Sequence, residues 1–184
     1  MQEEIDDKLL LESFADESKR HQAFRLIIEK YQRRVYWHIR KIVIDHDDSD
    51  DLTQDTFIKA WNSLENFRQD SQLFTWLYRI ATNEALNFLR KKKNRKSVSI
   101  SGDDYDLTDT LSASHYFNGD ALQMKLQQAI LTLPEKQRLV FNMKYFDGMK
   151  YEEMSEVLET SVGALKASYH HAVKKIELFF ESKS

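Results

Sequence analysis

Apolar residues return at every third or fourth position over most of this chain, the period of one buried helical face. Leu9, Leu10 and Phe14 mark a short amphipathic helix over 6–16. From His21 to Val43 the stripe Phe24, Ile27, Ile28, Tyr31, Val35, Ile39 and Ile42 runs unbroken, opposite Arg25, Glu29, Arg33, Arg40 and Lys41. Asp51 to Leu64 buries Phe57, Ala60, Trp61 and Leu64. Gln72 to Lys93 buries Phe74, Leu77, Tyr78, Ala81, Ala85, Phe88 and Leu89, with Ser71 placed to cap it. Further on, Ala121 to Leu133 holds Leu122, Leu126, Ala129, Ile130 and Leu133 in register. Pro134 opens a helix that buries Leu139, Val140, Met143 and Phe146 and stops at Asp147-Gly148. Tyr151 to Leu158 buries Met154, Val157 and Leu158; Glu159-Thr160-Ser161 turns the chain, with Ser161 as N-cap. The last helix buries Leu165, Tyr169, Ala172, Ile176 and Phe180.

These elements predict an all-α chain of two small helical domains, 1–96 and 121–184, joined by a flexible acidic linker over 97–120. Composition agrees: 4 Gly and 1 Pro in 184 residues leave little to break helices. The absence of cysteine excludes disulfides and thiolate metal sites. No apolar run approaches the ~18 residues of a membrane span, and the acidic start MQEEIDDKLLLESF lacks a signal peptide's basic end. A cytoplasmic protein, not itself a membrane protein, is the expectation.

The net charge of −3 conceals a segregation. Residues 61–96 carry 8 basic and 3 acidic side chains, whereas 97–120 carry 5 acidic and no basic ones. Salt screens charge beyond about 10 Å, so the local block matters more than the total. Arg90-Lys-Lys-Lys-Asn-Arg-Lys96 invites phosphate, although cations also suit a solvated helix end. Phe67, Trp76 and Tyr78 nearby suit stacked bases or ordinary core, and both readings stand. The linker's acidity permits it to mimic nucleic acid in a partner's basic channel. Asp45 to Asp51 is dense enough in carboxylate for Ca²⁺ or Mg²⁺ but lacks the glycine and distal Glu of an EF-hand loop. A connector is the plainer account, with Ser49 as N-cap and Asp50 and Asp51 facing the helix dipole. On the following helix, Asp51, Leu52, Gln54, Asp55 and Ile58 mix acid with apolar and suggest a docking face.

The paired helices 151–158 and 161 onward have the form of a helix-turn-helix, whose second helix enters a major groove. Together with the upstream half, the residues resemble a known family. DDLTQDTFIKAW and FRQDSQLFTWLYRIATNEALNFLRK resemble region two of bacterial RNA polymerase sigma factors, and LTLPEKQRLVFNMKYFDGMKYEEMSEVLETSVGALKASYHHAVKKI resembles region four. With so short a linker the chain resembles a group IV, or extracytoplasmic function, member of the sigma-70 family. The resemblance implies a promoter-recognising subunit without catalytic residues, metal or cofactor. It implies docking of Asp51, Leu52, Gln54, Asp55 and Ile58 on the clamp coiled coil of core RNA polymerase, with a further contact to the flap. Phe67, Arg68, Gln69, Asp70 and Ser71 would capture an unstacked base of the melted nontemplate strand, and Asn83, Asn87, Arg90 and Lys91 would meet the −10 element. Ser161, Lys166, Ala167, His170, His171 and Lys174 would read the double-stranded −35 element. The resemblance further implies that the linker threads the polymerase's channels and that an anti-sigma factor, commonly membrane-tethered, restrains the chain until a stress or surface signal frees it.

Departures cluster in the second half. Glu159 stands where the family usually has glycine, and Lys150 where the first motif helix often has a Ser or Thr cap. Ser168, His171 and Val173 stand where arginines are frequent. Two other classes stay open from the residues: a helix-turn-helix regulator acting without polymerase, and a helical protein that masks a partner. The basic 90–96 block and the aromatic loop disfavour the regulator. Adjacent His170 and His171 project about 100° apart on a helix, which disfavours a metal pair.

Overall fold

The structure is a computed structural model and describes residues 6–98 and 121–182. Among the described residues there are eight α-helices and no strand: α1 (Asp7–Ala15), α2 (Arg20–Val43), α3 (His46–Ser63), α4 (Leu73–Val98), α5 (Ala121–Leu131), α6 (Glu135–Tyr145), α7 (Tyr151–Leu158) and α8 (Val162–Ser182). The expected linker lies outside the described residues from 99 onward, and its first two positions continue α4.

Helix α2 is the hub of the first half, packed by α1, α3 and α4. Phe24, Ile27, Tyr31, Val35, Ile39 and Ile42 are buried as the periodicity requires. Arg40, expected on the outer face, is fully buried, in a helix packed by α1, α3, α4 and α6. Trp61 closes the far end, edge-on to Phe14 and Phe24 at 5.4 and 5.1 Å. The segment 45–51 is not a connector. Asp45 caps α3 by accepting from the Asp48 N–H at 3.0 Å, and Ser49 is buried inside the helix, its hydroxyl donating to the Asp45 carbonyl.

In the second half, α8 packs against α5, α6 and α7 around Leu133, Phe141, Ala172 and Ile176. Gly148 at φ +66° ends the α6 turn. At α7, Glu153 reaches back to accept from the Lys150 N–H at 2.7 Å, which satisfies one N-terminal donor without a Ser or Thr cap. Ser161 caps α8, accepting from the Ala164 N–H at 3.3 Å. In this half two apolar residues expected inside lie outside, Leu122, 63 % exposed on the first turn of α5, and Phe146, 39 % exposed beyond the end of α6, as does Leu9 on α1 in the first half.

The two halves share a core. Leu139, Val140, Met143, Met149, Met154, Val157 and Leu165 join the cluster built on α2, α3 and α4, with α7 against α4 and α6 against α2. Polar contacts sit inside this seam. Asp147 accepts from Lys41 and lies 3.1 Å from His38 Nδ1, while His38 Nε2 is 2.8 Å from the Thr82 hydroxyl. The Asn142 amide donates to the Lys41 carbonyl at 3.3 Å, and His38 stacks on Tyr78 at 4.3 Å. Each large apolar side chain buried stabilises by about 1.5–3 kcal/mol, whereas a buried ion pair as a whole is close to neutral once desolvation is counted. Apolar contact therefore holds the halves together, and Asp147 fixes how they meet.

Candidate nucleic-acid interface

Three surfaces collect the residues singled out above. The first lies where α3 leads into α4. After the short 3₁₀ turn Leu64–Asn66 the chain runs through 67–72 with Gln69 at φ 59°, a left-handed bend that turns the loop over α4. Phe67 is half-buried, its ring 5.1 Å from that of Trp76. Around this pair lies an open hollow of about 420 Å³, lined by Asn66, Phe67, Arg68, Asp70, Ser71, Trp76, Arg79 and Glu156. An aromatic floor, an arginine on each side and short polar groups can hold a flat base with its phosphate. Tyr78 belongs to the core instead; burial, then the nearby Asp147 carboxylate, push its hydroxyl pKa well up.

Along the outward side of α4, Asn83, Asn87, Arg90 and Lys91 are all exposed. Only Asn83 and Arg90 line the cleft of about 260 Å³ against the second half, facing Glu135, Lys136, Glu159 and Ser168 among others. The basic tail is less free than its sequence suggests: Lys92 pairs with Asp48 at 2.7 Å.

The second surface is α3. Asp51, Gln54, Asp55 and Ile58 are exposed in one row, Ile58 by 59 %. Leu52 corrects the sequence reading; it is 6 % exposed and packs inward, so it supports the row without forming it. Beside the row runs an apolar groove of about 420 Å³ between α2 and α3, lined by Phe24, Ile28, Gln32, Thr53, Gln54, Phe57, Ile58 and Trp61. Its α2 wall escaped the sequence reading, since Ile28 was counted as core.

The third surface is α8. Ser161, Lys166, Ala167, His170, His171 and Lys174 are all exposed. The Lys166 ammonium lies 5.7 Å from the centre of the Tyr151 ring, which steadies it at the mouth of the motif. The His170 and His171 rings are 6.0 Å apart and tilted by 58°. Among the described residues, no group of three or more His, Cys, Asp or Glu is placed to hold a metal ion.

Two family profiles match the chain, Sigma-70 region 2 over residues 27–95 and Sigma-70, region 4 over residues 123–176. The chain is 32 % identical over 179 residues to the RNA polymerase sigma-H factor of Pseudomonas aeruginosa, spanning 93 % of this chain and 92 % of that one. It belongs to the extracytoplasmic function sigma factors of the sigma-70 family. The ECF RNA polymerase sigma-E factor of Haemophilus influenzae is 30 % identical, with 96 % of both chains covered. The fold agrees with that of the sigma factor RpoE of Bartonella quintana, solved with the anti-sigma factor NepR, at a TM-score of 0.71, 22 % identity and coverage of 86 % of this chain and 96 % of that one. CnrH, solved with the cytosolic domain of CnrY, gives 0.70 and 22 %, with 97 % and 99 % covered.

This sigma factor is thus a promoter-recognising subunit of RNA polymerase and not an enzyme. Of its sequence-derived residues, the structure gathers Phe67, Arg68, Asp70 and Ser71 into one hollow, leaves Gln69 exposed outside its lining, and sets the −35 candidates along one exposed helix. Asn66 and Glu156 complete the hollow. Asn66 carried no mark in the sequence, and Glu156 comes from a helix about 80 residues away in the chain. No helix among the described residues is long and apolar enough to cross a membrane.

Proposed function

We propose that this sigma factor grips core polymerase through α3, captures a flipped −10 base in the 67–71 hollow to promote melting, and anchors on the −35 duplex through α8. Residues up to the end of α4 supply the first two of these contacts, and α5–α8 the third. The observation that carries the reading is the hollow, where Phe67 lies against buried Trp76 between Arg68 and Arg79. A regulator of closed duplex has no use for such a pocket beside a basic helix, whereas a strand-separating subunit does. Asp51, Asp55 and Ile58, with the groove at their side, supply an acidic and apolar match to a basic and apolar helical partner. The exposed cations Lys166 and Lys174 serve phosphates on the groove rim, and His170 and His171 lie between them.

The partners that follow are core RNA polymerase, at the clamp coiled coil and flap, and promoter DNA. Sigma folds of this kind have been captured with anti-sigma factors, which supports an anti-sigma partner here, and a cytoplasmic site of action accompanies these roles. A stress- or surface-responsive regulon is the setting that fits. Run-off transcription tests the core of this reading. Purified chain plus core polymerase gives discrete transcripts from a promoter library, and Trp76→Ala lowers open-complex formation more than −35 duplex binding. DNA binding without polymerase-dependent transcripts overturns the proposal.

A further inference from the structure

We infer that the groove bounded by α2, α5 and the turn after α6 is a binding site for a free nucleoside polyphosphate. The inference is independent of the promoter reading above and gives this groove a ligand of its own.

The groove holds about 470 Å³, a size that suits one small organic ligand. Its lining joins two chemistries. Trp37, half-buried on α2, and Phe146, beyond the end of α6, supply aromatic surface. Trp37 is steadied edge-on by Tyr36 at 5.3 Å, and Phe146 by Tyr145 at 4.9 Å. Phe146 leaves 39 % of its surface open, and a stacked base would cover it. Gln127 on α5 adds an amide, which can both donate to and accept from the edge of a base.

Charge supplies the second part. Four other cations of α2 are matched: Arg20 to Glu65, Arg25 to Glu29 at 3.6 Å, Lys30 to Asp7 at 2.9 Å, and Lys41 to Asp147. Arg33 and Arg34, which both line the groove, have no carboxylate partner among the described residues. Asp147 is the only acid in the described lining, and Lys41 and His38 already engage it. Two uncompensated positive charges therefore stand beside two aromatic rings. The Arg34 guanidinium lies 3.9 Å over the Phe74 ring, which holds it in place and leaves its N–H edges free to donate. Adjacent residues on a helix project about 100° apart, so the two guanidiniums suit successive phosphates of one chain better than a lone phosphate. Lys30 on one side and Lys41 on the other are already paired, so no basic track continues as a nucleic-acid strand would require.

The test uses the full chain and two fluorescent probes, N-methylanthraniloyl ATP and the corresponding GTP, followed by anisotropy. Saturable micromolar binding of at least one is expected, weakening as salt rises. Arg33→Glu and Phe146→Ala, both at exposed positions, should each weaken it by about tenfold, with helicity by circular dichroism unchanged. Arg33→Lys, which keeps the positive charge, should bind more tightly than Arg33→Glu. Adenosine alone and inorganic triphosphate alone should each compete about tenfold less well than ATP, since each engages half of the site. No saturable binding of either probe at millimolar concentration overturns the site, and so does binding that both substitutions leave unchanged. Loss through Arg68→Ala rather than Arg33→Glu moves the nucleotide to the 67–71 hollow and overturns it as well. A single-stranded oligonucleotide that binds more tightly than either probe, and is lost with Arg33→Glu, makes the groove a strand surface and removes the proposal. Run-off transcription keeps the two readings apart: transcripts without nucleotide binding refute this site alone, whereas their absence with core polymerase refutes the promoter reading.

Discussion

Glu159 should be a site where one substitution stabilises the protein. It ends α7 at φ 49°, ψ 44°, in the left-handed region. There the Thr160 N–H reaches the Ser155 carbonyl at 3.3 Å, the closing bond of a Schellman turn. For an L-residue this conformation costs about 1–2 kcal/mol. Glycine removes that cost but adds roughly 0.5–1 kcal/mol of unfolded-state entropy. Glu159→Gly should therefore gain on the order of 0.5–1 kcal/mol, a rise in Tm of about 1–4 °C for a chain of this size. Glu159→Ala isolates the cause, since it removes the side chain from the cleft and keeps the backbone penalty. It should fall about 1 kcal/mol below the glycine variant. Gly148 serves as the mirror. It holds φ +66° with open space where a Cβ would stand, so Gly148→Ala should lose about 1 kcal/mol from backbone strain alone. Far-ultraviolet circular dichroism in urea is the appropriate probe, because Trp37, Trp61 and Trp76 all lie in the first half, whereas helicity reports on α7 and α8 directly. If Glu159→Gly is no more stable than Glu159→Ala, the left-handed backbone is not what this turn strains against.

Asp51→Lys with Asp55→Lys should weaken core polymerase binding by on the order of 100-fold in a labelled-sigma titration, with helicity unchanged because both residues are exposed; unchanged affinity removes α3 as the docking row. Lys166→Ala should lower the salt slope of −35 duplex binding by about one unit, and an unaltered slope means that Lys166 meets no phosphate. Burial raises the pKa of Asp147, but the hydrogen bonds and positive charge of His38 and Lys41 outweigh it and hold the carboxyl below its ordinary 3.8. A depressed carboxyl stabilises fully above its unfolded value, and the contribution is lost as pH falls through the folded one. Stability of the full chain to urea should thus hold down to about pH 4 and fall only in stronger acid; a fall between neutrality and that point that Asp147→Asn leaves unchanged would show that another group controls the seam.

Helix positions were legible because the apolar period is long and rarely interrupted. What periodicity does not report is how many neighbours a helix has. Arg40 was placed with the solvated face of α2 on its charge; it is buried because α2 is surrounded, a property of the assembled fold. His38 and Asn142 carry no mark in the sequence either. Each is buried by the other half of the chain, at a separation of about 100 residues. The opposite error befell Leu122 and Phe146, apolar residues at element ends where packing stops before the pattern does. Asp45 shows a third kind of miss. An acidic run reads equally as a metal loop, a connector or a helix start, and only the bond to the Asp48 N–H decides. The family motifs, in contrast, singled out the loop and the α8 face as candidates directly, since the base capture and groove reading proposed for them need particular side chains in a local order.

The cation-poor recognition helix gains a reason from the closed arrangement. Arginines are frequent in the family at positions held here by Ser168, His171 and Val173, so α8 offers Lys166, Lys174 and Lys175 as its fixed exposed charges. This helix is exposed, whereas Asn83 and Arg90 face the cleft against the second half. Each phosphate neutralised adds about 0.9 to the salt slope of duplex binding, and this part of affinity is blind to sequence. A helix that is always open and strongly basic would tie free sigma to bulk DNA. Three fixed charges keep that background weak and leave productive binding to the moment when, on core polymerase, both proposed grips engage at once. In that linked state the second contact is intramolecular, so modest affinity at −35 suffices for a tight promoter complex.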